Sequence, residues 1–339
     1  MTAKIRIERA TLAMVQDLGR PGLGALGIPA SGASDQHAAR TANALVGNAD
    51  TAPLIEVIGS ELVVRPDRDL LLAVTGAADV LRVDGHPFPA WELVPVHAES
   101  EIRVPTPSVG LRSYLAFNGT LLVSRALGSV APDPLLGLGT RLEPGVVLEL
   151  ETRLDGHPAG HQPLFRLGAH RPSYVVEGVS TIAITEGPDL DRVVGGASRL
   201  TDTFTVGQRS DAVGLRLDGQ PLALARYDEI LSRGVPVGAV EIPPAGSIIV
   251  LLRARLVTAG YPVIAVATTT ALDTLAQLRP GAALRFQPSS ITRAVTELRA
   301  QRDAHHALAT RVRTALSARG LAYLVDDDHA TATTAQEPR

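Results

Sequence analysis

Three groups of residues in this sequence have types and spacings that could do chemistry. The first lies in Val15–Gln36, "VQDLGRPGLGALGIPASGASDQ", where Gly22, Gly24 and Gly27 have the G-x-G-x-x-G spacing that can cradle a pyrophosphate. That chemistry needs a helix to begin at the third glycine, so that its free N–H groups and dipole meet the phosphates. Here Pro29 and Gly32 follow instead, and neither lets a helix begin there. The glycines therefore do not make a dinucleotide loop. What the stretch does offer is a polar set: Asp17, Arg20, Ser31 and Asp35.

The second group is "VGQRSDAVGLRLDG", in which Gln208, Arg209, Ser210, Asp211 and Arg216 surround Gly214. Arginines held near small hydroxyl residues in a glycine turn can bind a carboxylate or carboxamide through two parallel N–H bonds. The same residues also make ordinary turns, with Asp and Ser capping amides and the arginines paired to local carboxylates. Small-molecule pockets often form between modules, so Asp211 and Arg216 are expected to face one concave site together with the Arg20–Asp35 segment. The third group is histidine. His157 and His161 stand four apart, but Pro158 and Gly160 keep them off a common helix face, and adjacent His305 and His306 point apart on a helix. All four are expected to be solvated surface residues, with no metal site. The strained nucleophile turn G-x-S-x-G does not occur.

Composition narrows the chemistry further. Lys4 is the only lysine among 32 Lys and Arg residues, so the chain has no P-loop lysine, no Schiff-base lysine and no acceptor lysine within a folded carrier domain. Any ATP or tethered carrier must come from another polypeptide. With no cysteine, disulfides, zinc–thiolate sites and cysteine nucleophiles are excluded. A net charge of -3 gives no reason to expect a nucleic-acid or membrane partner. No apolar run approaches the roughly 18 residues of a membrane span, and the N-terminus lacks the order of a signal peptide, so the cytoplasm is the expected compartment.

The elements that must position these groups read mostly as short strands. They are "KIRIE", "TLAMVQ", "LIEVI", "ELVVR", "DLLLAVT", "DVLRVD", "EIRV", "LRSYLAF", "VVLEL", "TIAIT", "SIIVLLR", "VIAVATT" and "ALRF", separated by turns such as Asp84-Gly85 and Pro144-Gly145. Helices are expected near 35–46, 189–200, 271–278 and 290–318. The first has Ser34 as a possible cap, an apolar face of Ala38, Ala39, Ala42, Leu45 and Val46, and Gly47 after its end. The last is amphipathic and is expected to pack on a domain. Many short strands argue for antiparallel sandwiches or barrels. We divide the chain into a β-rich module over 1–152, a Gly-, His- and Pro-rich linker over 153–173, a second β module over 174–287, the helix within 288–320 and a disordered tail over 321–339. "IEVIGSELVV" and "VEIPPAGSIIVLL" echo each other, each with a glutamate beside a strand, which tandem related barrels would explain, chance similarity between strands being nearly as good an account.

Longer, irregular blocks carry a resemblance. "VQDLGRPG", "LGIPASGASDQHAARTANALVGN", "LAVTGA" and "LRSYLAFNG" in the first half, then "EGPDLDR", "RSDAVGLRLDG", "ILSRGVPVGAVEIPPAGS" and "TAGYPVIAVATTTALDTLAQLRPG", resemble the biotin-dependent carboxyltransferase family. That family is also known as allophanate hydrolase subunit 2 or KipA, and it includes the C subunit of 5-oxoprolinase. The resemblance runs in order from about residue 10 to 287. It implies a mainly β fold of two linked cyclophilin-like β-barrel modules. It implies a partner of the allophanate hydrolase subunit 1 or KipI type, with a third subunit in 5-oxoprolinase assemblies. The activities implied are ATP-dependent lactam hydrolysis with 5-oxoproline as leading substrate, carboxyl transfer from biotin to urea or a related amide, or KipA-type binding of the partner without chemistry. No cofactor is expected on this chain, since ATP or biotin would be supplied by partner subunits. The expected substrate-binding set is Asp17, Arg20, Ser31, Asp35, Gln208, Ser210, Asp211 and Arg216, together with Thr258 and Tyr261 of "TAGYP".

The chain also departs from the family's patterns. Asp211 is followed by Ala212 where the family usually has arginine. In "RARLVTAGYP", Ala254 replaces an acid, Leu256 a glutamine and Ala259 a glycine. These changes raise the question of altered or lost activity.

Overall fold

A computed structural model describes residues 1–133, 136–154, 166–172, 178–226, 230–244 and 246–324. The first module contains β1 (Thr2–Ala10), β2 (Ala13–Gln16), α1 (Gln36–Leu45), β3 (Leu54–Ile58), β4 (Leu62–Pro66) and β5 (Leu70–Gly76). It continues through β6 (Val80–Val83), β7 (His86–Pro89), β8 (Val94–Val96), β9 (Ile102–Val104), β10 (Arg112–Phe117), β11 (Thr120–Leu121) and β12 (Val147–Glu151). The strands form a seven-stranded sheet, β11-β12-β1-β4-β9-β6-β7, and a five-stranded sheet, β2-β3-β10-β5-β8. Strict alternation in β1 sends Ala3, Ile5 and Ile7 into the core between the sheets. The apolar run of β5 is buried on both faces. Leu70, Leu72 and Val74 enter the core between the sheets, while Leu71 and Ala73 lie under α1 with Ala38, Ala42 and Leu45.

The second module contains β13 (Val179–Glu186), β14 (Thr203–Val206), β15 (Gly214–Asp218), β16 (Arg233–Gly234) and β17 (Ala239–Glu241). β18 (Ile248–Leu251), β19 (Thr258–Ala259), β20 (Val263–Ala267), α2 (Thr269–Leu275), β21 (Ala283–Pro288) and α3 (Ile291–Ala318) complete it. Seven strands close a barrel in the order β13-β20-β17-β18-β15-β14-β21, sealed by the parallel pair β13–β21. β16 and β19 pair only with each other and form a two-stranded flap. The fold is thus mainly β, with few helices. Every strand expected from sequence is present, and the short β7, β8, β11, β14–β17 and β19 are additional.

The helix expected near 189–200 is replaced by two 3-10 turns, Leu190–Arg192 and Gly196–Thr201. The two glutamates of the sequence echo sit in different settings: β3 and β4 belong to different sheets, whereas β17 and β18 are hydrogen-bonded neighbours. In the stretch read as a linker, Leu154 and Leu167 are buried against the α1–α3 layer. His157 and His161 lie outside the described residues, as does the tail beyond 324. Among the described residues no helix is long and apolar enough to cross a membrane.

Candidate functional site

The polar set of the opening stretch is turned inward. Asp17, Arg20, Ser31 and Asp35 are all buried. Asp17 Oδ1 accepts from Gly19 N at 2.8 Å and Ser129 Oγ at 2.6 Å, and Oδ2 accepts from Val130 N at 2.9 Å. Arg20 donates to the carbonyls of Ala126 and Ala131. Ser31 Oγ reaches Asp133 at 3.5 Å. These bonds staple the 17–32 loop to the 126–133 loop. The two passes of the first loop touch at Gly32, whose φ is +89° and where a Cβ would lie 2.6 Å from Gly19 N. Asp35 is the N-cap of α1, accepting from Ala38 N at 2.9 Å, and its second oxygen accepts from Gln277 Nε2 at 2.7 Å. Capping and loop closure thus occupy these side chains, and the cap of α1 is Asp35 rather than the expected Ser34. The glycine spacing itself forms an exposed 3-10 turn, Gly24–Leu26, well before α1 begins.

The second set opens onto a groove. In the register of the barrel, Arg216 on β15 and Glu241 on β17 both pair with Ile249 on β18, so the three side chains form one row on the barrel's outer face. The flap β16–β19 covers part of that face through a small apolar cluster of Val235, Ala239, Leu251 and Val263. Between flap and barrel lies a cavity of about 220 Å³ lined by Asp211, Arg216, Glu241, Leu256, Thr258 and Tyr261, among others. Asp211 shapes its rim, with Oδ1 accepting from Val213 N at 2.8 Å and Gly214 N at 3.1 Å. Ser210 Oγ accepts from Arg216 N at 3.0 Å and so holds the turn rather than the cavity, and Gln208 is exposed beside it. The structure therefore brings Asp211, Arg216, Thr258 and Tyr261 together. None of Asp17, Arg20, Ser31 and Asp35 lines this groove, contrary to the single concavity expected for the two sets.

Glu241, missing from the expected set, is the group with the most unusual chemistry in the groove. It is 2% exposed, and Oε1 has no hydrogen-bond partner among the described residues. Burial pushes its carboxyl up to about 7, against the opposing pull of Arg233 on the flap. That arginine is itself engaged by Asp189. A carboxyl in this state can donate as well as accept near neutral pH.

A second cavity, of about 380 Å³, lies at the junction of α1, α2 and α3 and is lined by His37, Asp50, Arg253, Asp273, Gln301 and His305, among others. Its polar groups join elements to one another. Asp273 Oδ1 accepts from Gln36 N at 3.0 Å at the start of α1, and Oδ2 accepts from Gln301 Nε2 at 3.1 Å. Burial, reinforced by nearby Asp35, pushes Asp273 up to about 7. His305 corrects the expectation of a solvated residue: its side chain is 9% exposed and its Nε2 lies 2.7 Å from Asp50 Oδ1. Burial opposes ionisation of Asp50, but the hydrogen bond from His305 and the charge of Arg40 hold it at about 2. His306, its neighbour, is exposed as expected. The residue read as surface instead joins α3 to the turn after α1, because α3 folds back onto the first module, which local sequence does not encode.

Comparison with known proteins bears on this arrangement. The model of the carboxyltransferase domain, subdomain A and B, matches residues 26–288. The C subunit of 5-oxoprolinase from Escherichia coli (strain K12) is 33% identical over 317 residues, covering 91% of this chain and 98% of that protein. The crystal structure of TTHA0988 is 32% identical with a TM-score of 0.73; the alignment covers 84% of this chain and 55% of that longer one. The Kluyveromyces lactis urea carboxylase shares the fold, with a TM-score of 0.80 at 22% identity over 90% of this chain and 29% of that one.

Proposed function

The chain belongs to the carboxyltransferase family of subdomains A and B, and on that premise we propose that it is one subunit of an ATP-dependent amide or lactam hydrolase, with 5-oxoproline as the leading substrate. The observation that carries this reading is the near full-length correspondence with a protein named as the C subunit of 5-oxoprolinase. Its working partners would be a subunit-1, KipI-like protein and a third subunit. Lys4, the only lysine, stands exposed on β1, and in this reading ATP or biotin would be held by those partners. In this reading the flap groove binds the substrate, with Arg216 at its rim taking a carboxylate through charge-assisted bonds.

Carboxyl transfer to urea or a related amide is the second reading, favoured by the fold shared with urea carboxylase. Both reactions need a site for an amide edge. The departures from the family pattern do not by themselves favour a role without chemistry. Ala254 N donates to Ala212 O at 3.3 Å, so the missing arginine and the missing acid fall at touching positions. Their joint absence leaves no unpaired charge.

Co-expression with a subunit-1-type protein and a third subunit tests the proposal. The proteins are expected to co-elute in size-exclusion chromatography, and the full set to hydrolyse ATP only when 5-oxoproline is present. Separate elution at micromolar concentration would overturn it. Carboxylation of urea with a biotin carboxylase, and no lactam opening, would establish the second reading.

A further inference from the structure

We propose that Glu241 reads the amide edge of the ligand, its carboxyl closing a two-point hydrogen-bonded ring with the N–H and C=O of a cis-amide such as a lactam or a urea. The inference deepens the function proposed above and rests on it only for the choice of an amide as ligand class.

The geometry points there first. Arg216, Ile249 and Glu241 stand in one cross-strand row, so Arg216 and Glu241 are two strand spacings apart, roughly 10 Å between backbones. That span accommodates a small ring with a carboxylate on one side: the amide edge at the buried end, the carboxylate at the exposed rim near Arg216, and methylenes against Ile249, Leu251 and Leu256. Glu241 is enclosed between barrel and flap, yet one oxygen finds no donor among the described residues. A buried polar atom without a partner is costly, so the site is poised for a ligand that supplies one.

The charge state then selects the ligand. The charged groups around Glu241 are Arg233 on the flap, already engaged by Asp189, and Arg216 and Asp211 at the rim, with the Tyr261 phenol beside them. Burial outweighs the pull of Arg233, and the carboxyl stays protonated up to about pH 7. A neutral carboxylic acid presents one donor and one acceptor side by side, the complement of a cis-amide. A carboxylate presents acceptors alone and would meet the amide C=O with like polarity. An N-alkylated lactam lacks the N–H and would lose half of the ring.

Titration of the full chain with 2-pyrrolidinone, followed by NMR at pH 6 and pH 9, tests the proposal. Wild-type affinity is expected to fall at least tenfold between the two, since ionisation two units above a value near 7 removes about 99% of the acid form. Glu241→Gln keeps a donor beside an acceptor at every pH and should bind equally at both. Glu241→Ala should not bind at either, and N-methyl-2-pyrrolidinone should fail with the wild type; melting temperatures confirm that each variant is folded. Wild-type binding that is flat with pH, unchanged binding by Glu241→Ala, or no saturable binding at pH 6 would overturn the inference. The two proposals fail separately. A complex that opens 5-oxoproline equally well with Glu241→Ala sinks the inference alone, whereas pH-dependent 2-pyrrolidinone binding by a chain whose complex turns over no lactam sinks the function alone.

Discussion

Two buried carboxyls, Glu241 and Asp273, are pushed up to about 7 by burial, from ordinary values of 4.5 and 3.8. Between those limits the folded chain binds protons that the unfolded chain has released. The stability each confers is complete below its ordinary value and is lost as pH rises through about 7. Glu241→Gln should therefore flatten the fall in stability between pH 5 and 8, and at pH 8 should be more stable than wild type by up to about 3 kcal/mol. Asp273→Asn should flatten it further. Asp50 has the opposite sign: held at about 2, it stabilises above 3.8 and fails as pH falls toward 2. Urea denaturation at pH 5 and pH 8 decides the matter, and parallel wild-type and variant behaviour would show that Glu241 ionises normally. At this scale the sequence was only partly legible. Asp211, Arg216, Thr258 and Tyr261 do converge, because their blocks were long enough to identify. Glu241 showed only as a glutamate beside a strand, since its burial comes from two short flap strands that flank it in the chain and pair with each other over the barrel face, a closure that no local pattern displays. Asp17 and Arg20 had the right types for a site, but the backbone of a distant loop consumes them.

Elements were most legible where local signals agreed with tertiary packing. The alanine-rich face of α1 and the glycine after its end are both used in the fold, while the cap falls to Asp35, one residue after the expected Ser34, because the Asp35 carboxylate is the group that reaches Ala38 N. The stretch near 189–200 had helical composition but contains Gly195 and Gly196, with φ of +88° and +61°, which break it into two short turns. The start of α1 also shows how one cap can serve two modules. Asp35 bonds Ala38 N within its own helix and Gln277 from the end of α2. Asp35→Ala is expected to cost about 1–2 kcal/mol for the cap and a further ~1–3 kcal/mol for the one N–H of the Gln277 amide left without an acceptor, its other N–H keeping Arg112 O. Asp35→Asn keeps the cap but can turn only one oxygen to these two donors, so it should fall between. Chemical denaturation of the three proteins gives the order, and an Asp35→Ala loss below about 1 kcal/mol would mean that neither contact matters.

Across the whole molecule, the question is whether two modules with separate cores behave as one body. The contacts at their junction argue that they do. α3 leaves the barrel and packs Leu308, Val312 and Leu316 into the layer that also holds α1, β5 and β10. Arg279 donates to the carbonyls of Pro107 and Gly110, and Arg112 donates to that of Ala276. Gln277 sits at the centre: Oε1 accepts from Leu111 N at 2.9 Å and Arg112 N at 2.8 Å, while Nε2 donates to Asp35 and to Arg112 O at 3.1 Å. Removing that side chain strands the buried Arg112 N–H, the half-buried Leu111 N–H and one oxygen of the buried Asp35 carboxylate, at about 1–3 kcal/mol for each fully buried group. Wild-type protein is therefore expected to unfold in one calorimetric transition, with calorimetric and van't Hoff enthalpies in agreement. Gln277→Ala should lower the transition and split it, the barrel and the first module melting apart. Gln277→Glu is more informative, because it keeps the volume but brings a third carboxyl beside Asp35 and Asp273. It should be tolerated better at pH 5 than at pH 8, where the three acids would repel one another. Two resolved transitions in the wild type, or a Gln277→Ala protein that melts as one unit at the wild-type temperature, would mean that the modules are merely tethered.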